Sequence, residues 1–508
     1  MTTPLPPHTV VAVVGAGAMG AGIAQVAAAA GHPVKLLDQR PDAAERAVAG
    51  VRAQFRKMAD KGKLSAADAD AASARLTAVS SLSDLADAGL VIEAIVENLD
   101  AKQTLYRDLE ALVRDDCVLA TNTSSISVTA IGAALKRPQR LAGLHFFNPA
   151  PLMALVEVVS GLATDPEVAQ TLFLTAQAWG KKPVHAKSTP GFIVNRVARP
   201  YYAEALRVLG EGGADAATVD ACCREAGGFR MGPFELMDMI GHDVNLAVTR
   251  SVWQAFFNDP RFLPSLIQQE LVDAGFLGKK TGRGFYDYRA DAPRPQPATE
   301  PVHPVSGDIV IHGDSPAALA LAARLQAQGL VITTSAAQGE LVAEVGGAHL
   351  FVTDGRTATR RAAETGVPNV VLMDLALDYR QTTRLAVSVA DSCPAASAAQ
   401  AMGVLQSAGI AVSRVGDLPG LVLMRTVAML ANEAADAVNQ GVCDAASVDV
   451  AMRQGVNYPC GPLAWADAMG LPTVNRVLCN LGLTYGEDRY RVSPLIQHKV
   501  FSGKNFHG

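Results

Sequence analysis

The chain is poor in aromatic side chains, 5% of 508 residues, and carries no basic excess, with a formal net charge of −5. Few aromatics beside abundant alanine favour Ala-packed helices over an all-β sandwich. The acidic balance argues against a nucleic-acid partner, for which a basic domain is expected. Cysteine is also scarce. The seven, Cys117, Cys222, Cys223, Cys393, Cys443, Cys460 and Cys479, include no CxxC pair. A chain this long, with 49% hydrophobic residues, needs no disulfide staples, so ordinary buried thiols in a reducing cytoplasm are expected. Charge is absent from residues 9–30 (TVVAVVGAGAMGAGIAQVAAAA), a length that would suit a membrane span. No Lys or Arg precedes this run, as a signal peptide would require. It breaks into a β-branched stretch, a Gly-rich turn and an Ala-rich helix. It therefore reads as a buried strand and helix, with no targeting segment and no membrane partner.

At roughly 100–200 residues per domain, the length predicts three to four domains. In residues 1–188, strand-like runs at 10–14, 33–37, 90–94, 118–121 and 141–146 alternate with helical stretches such as 18–30, 42–61 and 100–113. That alternation predicts an α/β, Rossmann-like domain with a parallel sheet covered on both faces. Residues 189–289 read as an all-α domain, with helices over 192–209 and 216–226 and a closing segment GRGFYDY at 282–288. Residues 290–306 are too Pro-rich for helix or sheet interior and predict an extended linker. A strand-like run at 308–313 and an Ala-rich helix at 315–328 then open a degenerate Rossmann-like domain, 307–417. A second helical domain, 418–508, follows.

The later half is a copy of the earlier one. Shifting the chain by 229 residues aligns 190–241 with 419–470 without a gap, and 16 of 52 positions are identical. Roughly four would be expected by chance in so Ala-rich a chain. The pairs include Pro190/Pro419, Arg196/Arg425, Glu204/Glu433, Asp220/Asp449 and Asp238/Asp467. The chemistry has not been kept: Asn195 pairs with Met424, and the turn Gly15-Ala-Gly-Ala-Met-Gly20 corresponds to Gly313-Asp-Ser-Pro-Ala-Ala318. Arg384-Leu-Ala386 echoes Arg140-Leu-Ala142, which would set Val389 where the earlier copy has His145. The later half therefore reads as a structural copy without a second active site.

Gly15, Gly17 and Gly20 form GxGxxG between a strand and a helix, with Ala18 and Met19 inside the turn. The first glycine permits the tight turn, the second admits a pyrophosphate, and the third allows close helix–strand contact. The helix N-terminus then presents free N–H groups to phosphate. Asp38 ends the second strand, where a carboxylate accepts the ribose hydroxyls of NAD and repels a 2′-phosphate. Arg40, two residues on, tolerates a phosphate, yet NAD is the preferred cofactor. No metal site is read from the sequence.

His145 stands at the carboxyl end of a strand-like run, the edge of an open α/β sheet where ligands bind. After Pro149 and Pro151 the chain returns through residues 152–160, placing Glu157 inside an apolar strand, where a carboxylate needs a partner. Glu157 on one ring nitrogen of His145 leaves the other nitrogen as a base toward substrate. Residues 122–125 (NTSS) end another strand at the same edge; an N-cap for the next helix is the alternative there. Asn195 is expected to project toward the first domain, with a polar surface position as its alternative.

The segments GAGAMGAGIA, EAIVENLDAK, ATNTSS, GLHFFNPAPLMALVEVV, TPGFIVNR and GKKTGRGFYDY occur in this order. Together with Asp38 they resemble the 3-hydroxyacyl-CoA dehydrogenase family, and the duplicated half is similar to that family's long bacterial form. The resemblance implies NAD-dependent oxidation of an (S)-3-hydroxyacyl-CoA, such as 3-hydroxyadipyl- or 3-hydroxybutyryl-CoA, in phenylacetate or fatty-acid catabolism. It implies that His145 is the general base, that Glu157 is its partner, and that Ser124 and Asn195 contact the substrate oxygen. Cofactor contacts fall on the glycine turn, Asp38, Glu97, Lys102, Asn122 and Asn148. Lys57, Lys61 and Lys63 are candidates for the CoA phosphates. A monomer, homodimer or trimer is implied, the duplicated half standing in for a dimer partner. Two alternatives are a 3-hydroxyacid dehydrogenase for free acids, whose lysine acid/base the HFFNP segment argues against, and a non-catalytic NAD-binding structural protein.

Overall fold

A computed structural model describes residues 3–337 and 340–508. Its first sheet has eight strands: β1 (Val11–Val14), β2 (Val34–Leu37), β3 (Leu76–Val79), β4 (Leu90–Glu93), β5 (Val118–Thr121), β6 (Leu141–Phe146), β7 (Leu155–Ser160) and β8 (Lys182–Lys187). Their spatial order is β3-β2-β1-β4-β5-β6-β7-β8. Strands β3 to β6 are parallel; β7 turns antiparallel to β6, and β8 runs parallel to β7. The central strands are buried along their whole length, because helices cover both faces. Ile23, Ala24 and Ala27 of helix Ala18–Ala29 join Val11, Val13 and Leu36 in the core. The sequence reading missed β3 and β8, both edge strands. In β8 (KPVHAK) Pro183 and three cationic or titratable side chains break the apolar signal, as an edge position allows.

The expected helix over 192–209 is divided into Val194–Val197 and Arg199–Gly210. Pro200 lacks an N–H and crowds the preceding turn. Its counterpart in the later copy is Met429, and there the helix Leu423–Asn439 runs unbroken.

The second sheet holds β9 (Ile309–His312), β10 (Thr333–Ser335), β11 (Leu341–Val345), β12 (Ala348–Val352), β13 (Val370–Met373), β14 (Arg384–Val389) and β15 (Ala411–Arg414), in the order β10-β9-β11-β12-β13-β14-β15. In the first sheet, β4 and β5 are joined by helix Leu99–Leu112. In the second, Gly346 and Gly347, both at positive φ, join β11 directly to β12. Without a crossover helix the two strands must pair antiparallel, and β11 runs antiparallel to β9 as well. The topology also corrects the match of Arg384–Ala386 with Arg140–Ala142. Strand β14 is antiparallel to β13 and parallel to β15, so it takes the place of β7. The strand in the place of β6 is β13, which ends at Met373, just before Asp374. Val389 faces Val371 and is not the counterpart of His145.

The chain forms two compact units, residues 1–196 with 440–456, and residues 197–439 with 457–508. This division differs from the expected cuts at 189 and 418 because an element of each copy is exchanged. Helix Ala445–Gly455 of the later copy lies on β7 and β8 of the first sheet. Lys187 N–H donates to the Val442 carbonyl at 2.9 Å, and a Cβ on Gly455 would stand 2.5 Å from Leu155 Cδ2. The matching helix of the earlier copy, Ala216–Glu225, lies on β14 of the second sheet, where Leu377 N–H donates to the Ala226 carbonyl at 2.8 Å. All seven cysteines are free thiols. Cys117, Cys222 and Cys223 are buried, but Cys393, Cys443 and Cys460 are half-buried and Cys479 is exposed, against the expectation that all are buried. Among the described residues no helix is long and apolar enough to cross a membrane, and no His, Cys, Asp or Glu cluster suits a metal ion.

Candidate active site

The glycine turn is fixed by contact. Gly15 has φ +105°, and a Cβ there would lie 2.4 Å from the Ala94 carbonyl oxygen. A Cβ on Gly20 would lie 1.7 Å from the Gly15 carbonyl oxygen. Nothing stands within 4 Å of a Cβ on Gly17, which caps helix Ala18–Ala29 without a side-chain hydrogen bond. The turn is therefore closed behind and open in front, with helix N–H groups left for an anion. Ala18 is exposed there and Met19 half-buried. Asp38 follows β2. Its Oδ2 accepts from Ala16 N–H at 2.7 Å, and its Oδ1 accepts from Arg40 Nε at 2.9 Å. The Arg40 guanidinium holds this carboxyl far below the ordinary carboxylate range. An open glycine, orphan N–H groups and a permanent anion at the second strand's end fit the pyrophosphate and ribose of a dinucleotide. In the later copy Ser315 caps the corresponding helix by accepting from Ala318 N–H at 3.2 Å. A Cβ on Gly355, beyond β12, would stand 2.6 Å from the Val477 carbonyl, so helix Leu471–Tyr485 covers that strand end.

The ends of β4, β5 and β6 meet at the same edge of the first sheet. Glu93 ends β4, fully buried; its Oε1 accepts from Lys102 Nζ at 2.5 Å and its Oε2 from the Thr121 hydroxyl at 2.7 Å. Lys102, also buried, reaches Glu97 Oε2 at 3.2 Å. Glu97 Oε1 accepts from the Thr123 hydroxyl (2.6 Å), Ser124 N–H (3.0 Å), Ser125 N–H (3.1 Å) and the Ser125 hydroxyl (2.9 Å). Burial pushes the Glu97 carboxyl up, but Lys102 and the two hydroxyls outweigh it and bring it below its ordinary value. Glu97 thus shapes the loop that carries Ser124. Asn122 Oδ1 accepts from Phe146 N–H at 2.9 Å and ties the end of β5 to β6.

His145 and Glu157 face each other across the antiparallel β6–β7 pair. His145 Nδ1 lies 2.6 Å from Glu157 Oε2, with Glu157 fully buried and His145 5% exposed. The other carboxylate oxygen accepts from Ile193 and Val194 N–H, each at 3.0 Å. These N–H groups open the helix that bears Asn195, so one carboxylate fixes both the imidazole and that helix. A carboxylate only accepts, so Nδ1 carries the proton and Nε2 remains a base. Nε2 has no hydrogen-bond partner among the described residues. The rings of Phe147 and Phe192 lie 4.5 and 5.8 Å from the imidazole, centroid to centroid. The Asn195 amide reaches the Ser124 carbonyl at 3.5 Å.

The structure thus brings His145, Glu157, Ser124, Asn195 and Asn122 together. Asn148 is exposed just beyond β6. Lys102 is sealed between Glu93 and Glu97 rather than open to a ligand. Lys57, Lys61 and Lys63 are exposed at the end of helix Ala43–Asp60 and just past it. Glu93, Thr121, Thr123 and the N–H groups of Ile193 and Val194 were not anticipated. Glu93 carried the signal used for Glu157, a carboxylate inside an apolar strand.

Residues 10–189 match the 3-hydroxyacyl-CoA dehydrogenase NAD binding domain, and residues 191–288 and 420–506 match that family's C-terminal domain. Residues 350–419 match the 3-hydroxybutyryl-CoA dehydrogenase reduced Rossmann-fold domain. The 3-hydroxyadipyl-CoA dehydrogenase of Escherichia coli K12 is 45% identical over 96% of this chain and 97% of its own. Human mitochondrial hydroxyacyl-coenzyme A dehydrogenase is 41% identical over 55% of this chain and 91% of its own. A crystal structure of 3-hydroxybutyryl-CoA dehydrogenase from Escherichia coli K12 superimposes with a TM-score of 0.88 at 43% identity, covering 98% of this chain and 99% of the other. The chain belongs to the 3-hydroxyacyl-CoA dehydrogenase family, with that family's NAD-binding domain at its N-terminal end.

Proposed function

We propose that this chain catalyses the reversible oxidation of an (S)-3-hydroxyacyl-CoA to the 3-oxoacyl-CoA, through one active site in its first unit. The His145–Glu157 contact of 2.6 Å at the opening edge of the sheet carries this reading. NAD, when bound, supplies the hydride acceptor; the glycine turn and Asp38 would hold it. His145 Nε2 takes the hydroxyl proton as C3 is oxidised, and Glu157 stabilises the resulting imidazolium and keeps the ring in its working tautomer. The Ser124 hydroxyl and the Asn195 amide steady the oxygen whose charge changes during transfer. Glu97 and Lys102 act through the Ser124 loop, a positioning role consistent with Lys102 being buried. The ionised Asp38 favours NAD over NADP. Exposed Lys57, Lys61 and Lys63 offer cations to the CoA phosphates.

Both full-length relatives described above take short acyl groups by name, 3-hydroxyadipyl or 3-hydroxybutyryl, and such substrates are the preferred ones here. The expected setting is cytoplasmic acyl-CoA catabolism. The direct test follows NADH absorbance with acetoacetyl-CoA and longer 3-oxoacyl-CoAs. His145→Gln is expected to lower kcat by about 10²–10⁴-fold, the usual worth of a positioned general base. An inactive wild type, or unchanged turnover in His145→Gln, overturns the assignment. Free 3-hydroxybutyrate turning over faster than its CoA thioester would favour a dehydrogenase of free acids.

A further inference from the structure

The second unit contains a cavity of about 410 Å³ that the reaction above does not use. It is walled by helix Arg199–Gly210 from the earlier copy and by the Asp488–Tyr490 segment from the later one. Arg207 Nη2 donates to Glu487 Oε2 at 2.8 Å. Arg489 reaches that same oxygen only at 3.7 Å. One carboxylate is thus divided between two guanidiniums. Arg489 is 5% exposed, and its buried Nε has no hydrogen-bond partner among the described residues. Glu211, the other carboxylate in the wall, is engaged by the Tyr485 hydroxyl at 2.7 Å and by Arg425 at 3.8 Å. Arg261 has counter-charges of its own in Glu433 and Asp436, and its Nε is likewise buried without a partner. Arg199, the fourth arginine of the lining, donates to the Thr249 hydroxyl at 3.0 Å. A buried cation short of counter-charge is costly to hold, and the lining carries fewer anions than guanidiniums.

Part of the lining is apolar. Phe262, Leu263 and Leu266 form it, and Leu266 is 82% exposed at the rim. We propose that this cavity binds a short aliphatic carboxylate, with its anionic end on Arg489 and its hydrocarbon against Leu263, Leu266 and Phe262. The planar fork of a guanidinium matches a carboxylate oxygen pair, and the apolar wall favours an organic acid over an inorganic anion. The volume falls in the range of small-molecule sites, about 300–1,000 Å³. All the lining residues belong to the second unit, whereas His145 and Glu157 belong to the first. The proposal is therefore independent of the catalytic assignment.

Calorimetric titration of the full chain with sodium hexanoate and with inorganic phosphate, at constant ionic strength, tests it. Hexanoate is expected to saturate one site per chain, at least about tenfold more tightly than phosphate. Arg489→Gln is expected to weaken hexanoate by about tenfold or more, the loss of one charge-assisted contact. Leu266→Glu, at an exposed position that does not threaten folding, is expected to weaken it similarly, while Leu266→Lys retains it. If Arg489→Gln does not fold, the Leu266 pair decides. No saturable binding, equal affinity for phosphate, indifference to these substitutions, or displacement of hexanoate by acetoacetyl-CoA overturns the proposal.

Discussion

Glu157 does two jobs with two oxygens. One faces His145 Nδ1; the other receives the first N–H groups of the helix carrying Asn195. Glutamine keeps an acceptor for those N–H groups but turns an N–H₂ toward the ring, which shifts the ring proton to Nε2 and removes the base. Glu157→Gln is therefore expected to fold normally and bind NAD with unchanged affinity, with kcat down on the order of 10³-fold or more. Stopped-flow kinetics beside NAD titration separates the two, and a loss of NAD affinity matching the loss of kcat would count against the tautomer argument. At this scale the sequence is informative where a residue is out of place in its surroundings. Glu157 in LMALVEVVS and the glycines of the turn are of that kind. The backbone N–H donors at Ile193 and Val194 are not, because they lie 36 and 37 positions along the chain from Glu157 and meet it only once the fold forms.

Helix starts and stops govern the next scale. In the later copy Asp374, just past the end of β13, accepts from Val422, Leu423 and Met424 N–H at 2.7–3.0 Å. It holds the start of helix Leu423–Asn439 as Glu157 holds its counterpart, but from the neighbouring strand and without a histidine. Asp374→Ala leaves those three buried donors and the Leu375 N–H unmet, so a loss of about 2–4 kcal/mol in the second unit is expected in urea denaturation. NAD affinity should not change; if it does, the two units are not energetically independent. Asp220 gives a pH test. Burial pushes its carboxyl up to about 7, although it accepts from Phe234 and Glu235 N–H and from the Tyr286 hydroxyl. The folded chain then keeps a proton that the unfolded chain releases near pH 4, so this group's contribution to stability declines as pH rises from about 4 to about 7. Asp220→Asn should flatten that part of the melting-temperature profile; an unchanged slope would contradict it. Element identity was legible from periodicity, as for β6 and the Ala-rich helices. The interruption by Pro200 was legible in principle, since Met429 stands in its place where the helix is unbroken. Edge strands β3 and β8 were not, because one exposed flank removes the apolar run that marks a central strand.

At the scale of the molecule, the duplication works by exchange: each copy gives a helix to the other copy's sheet. The 229-residue repeat was visible in the sequence, but the exchange was not, since two helices of similar pattern leave no record of which sheet they cover. A chain ending at residue 306 lacks the helix Ala445–Gly455 that covers β7 and β8, yet still has its twin, Ala216–Glu225. Such a chain is expected to form dimers that trade this twin, with a melting temperature that rises with protein concentration. A stable monomer in sedimentation equilibrium would refute the exchange argument. The Gly346–Gly347 turn carries a longer consequence. Because it removed a whole crossover helix, the strand beside the lost nucleotide turn points the opposite way, and no string of point mutations reverses a strand. Restoring glycine at positions 315 and 318 would rebuild a motif without a crevice behind it. The inheritance of the later half is in that sense one-way: it can go on diverging as scaffold, but regaining a coenzyme would require an insertion.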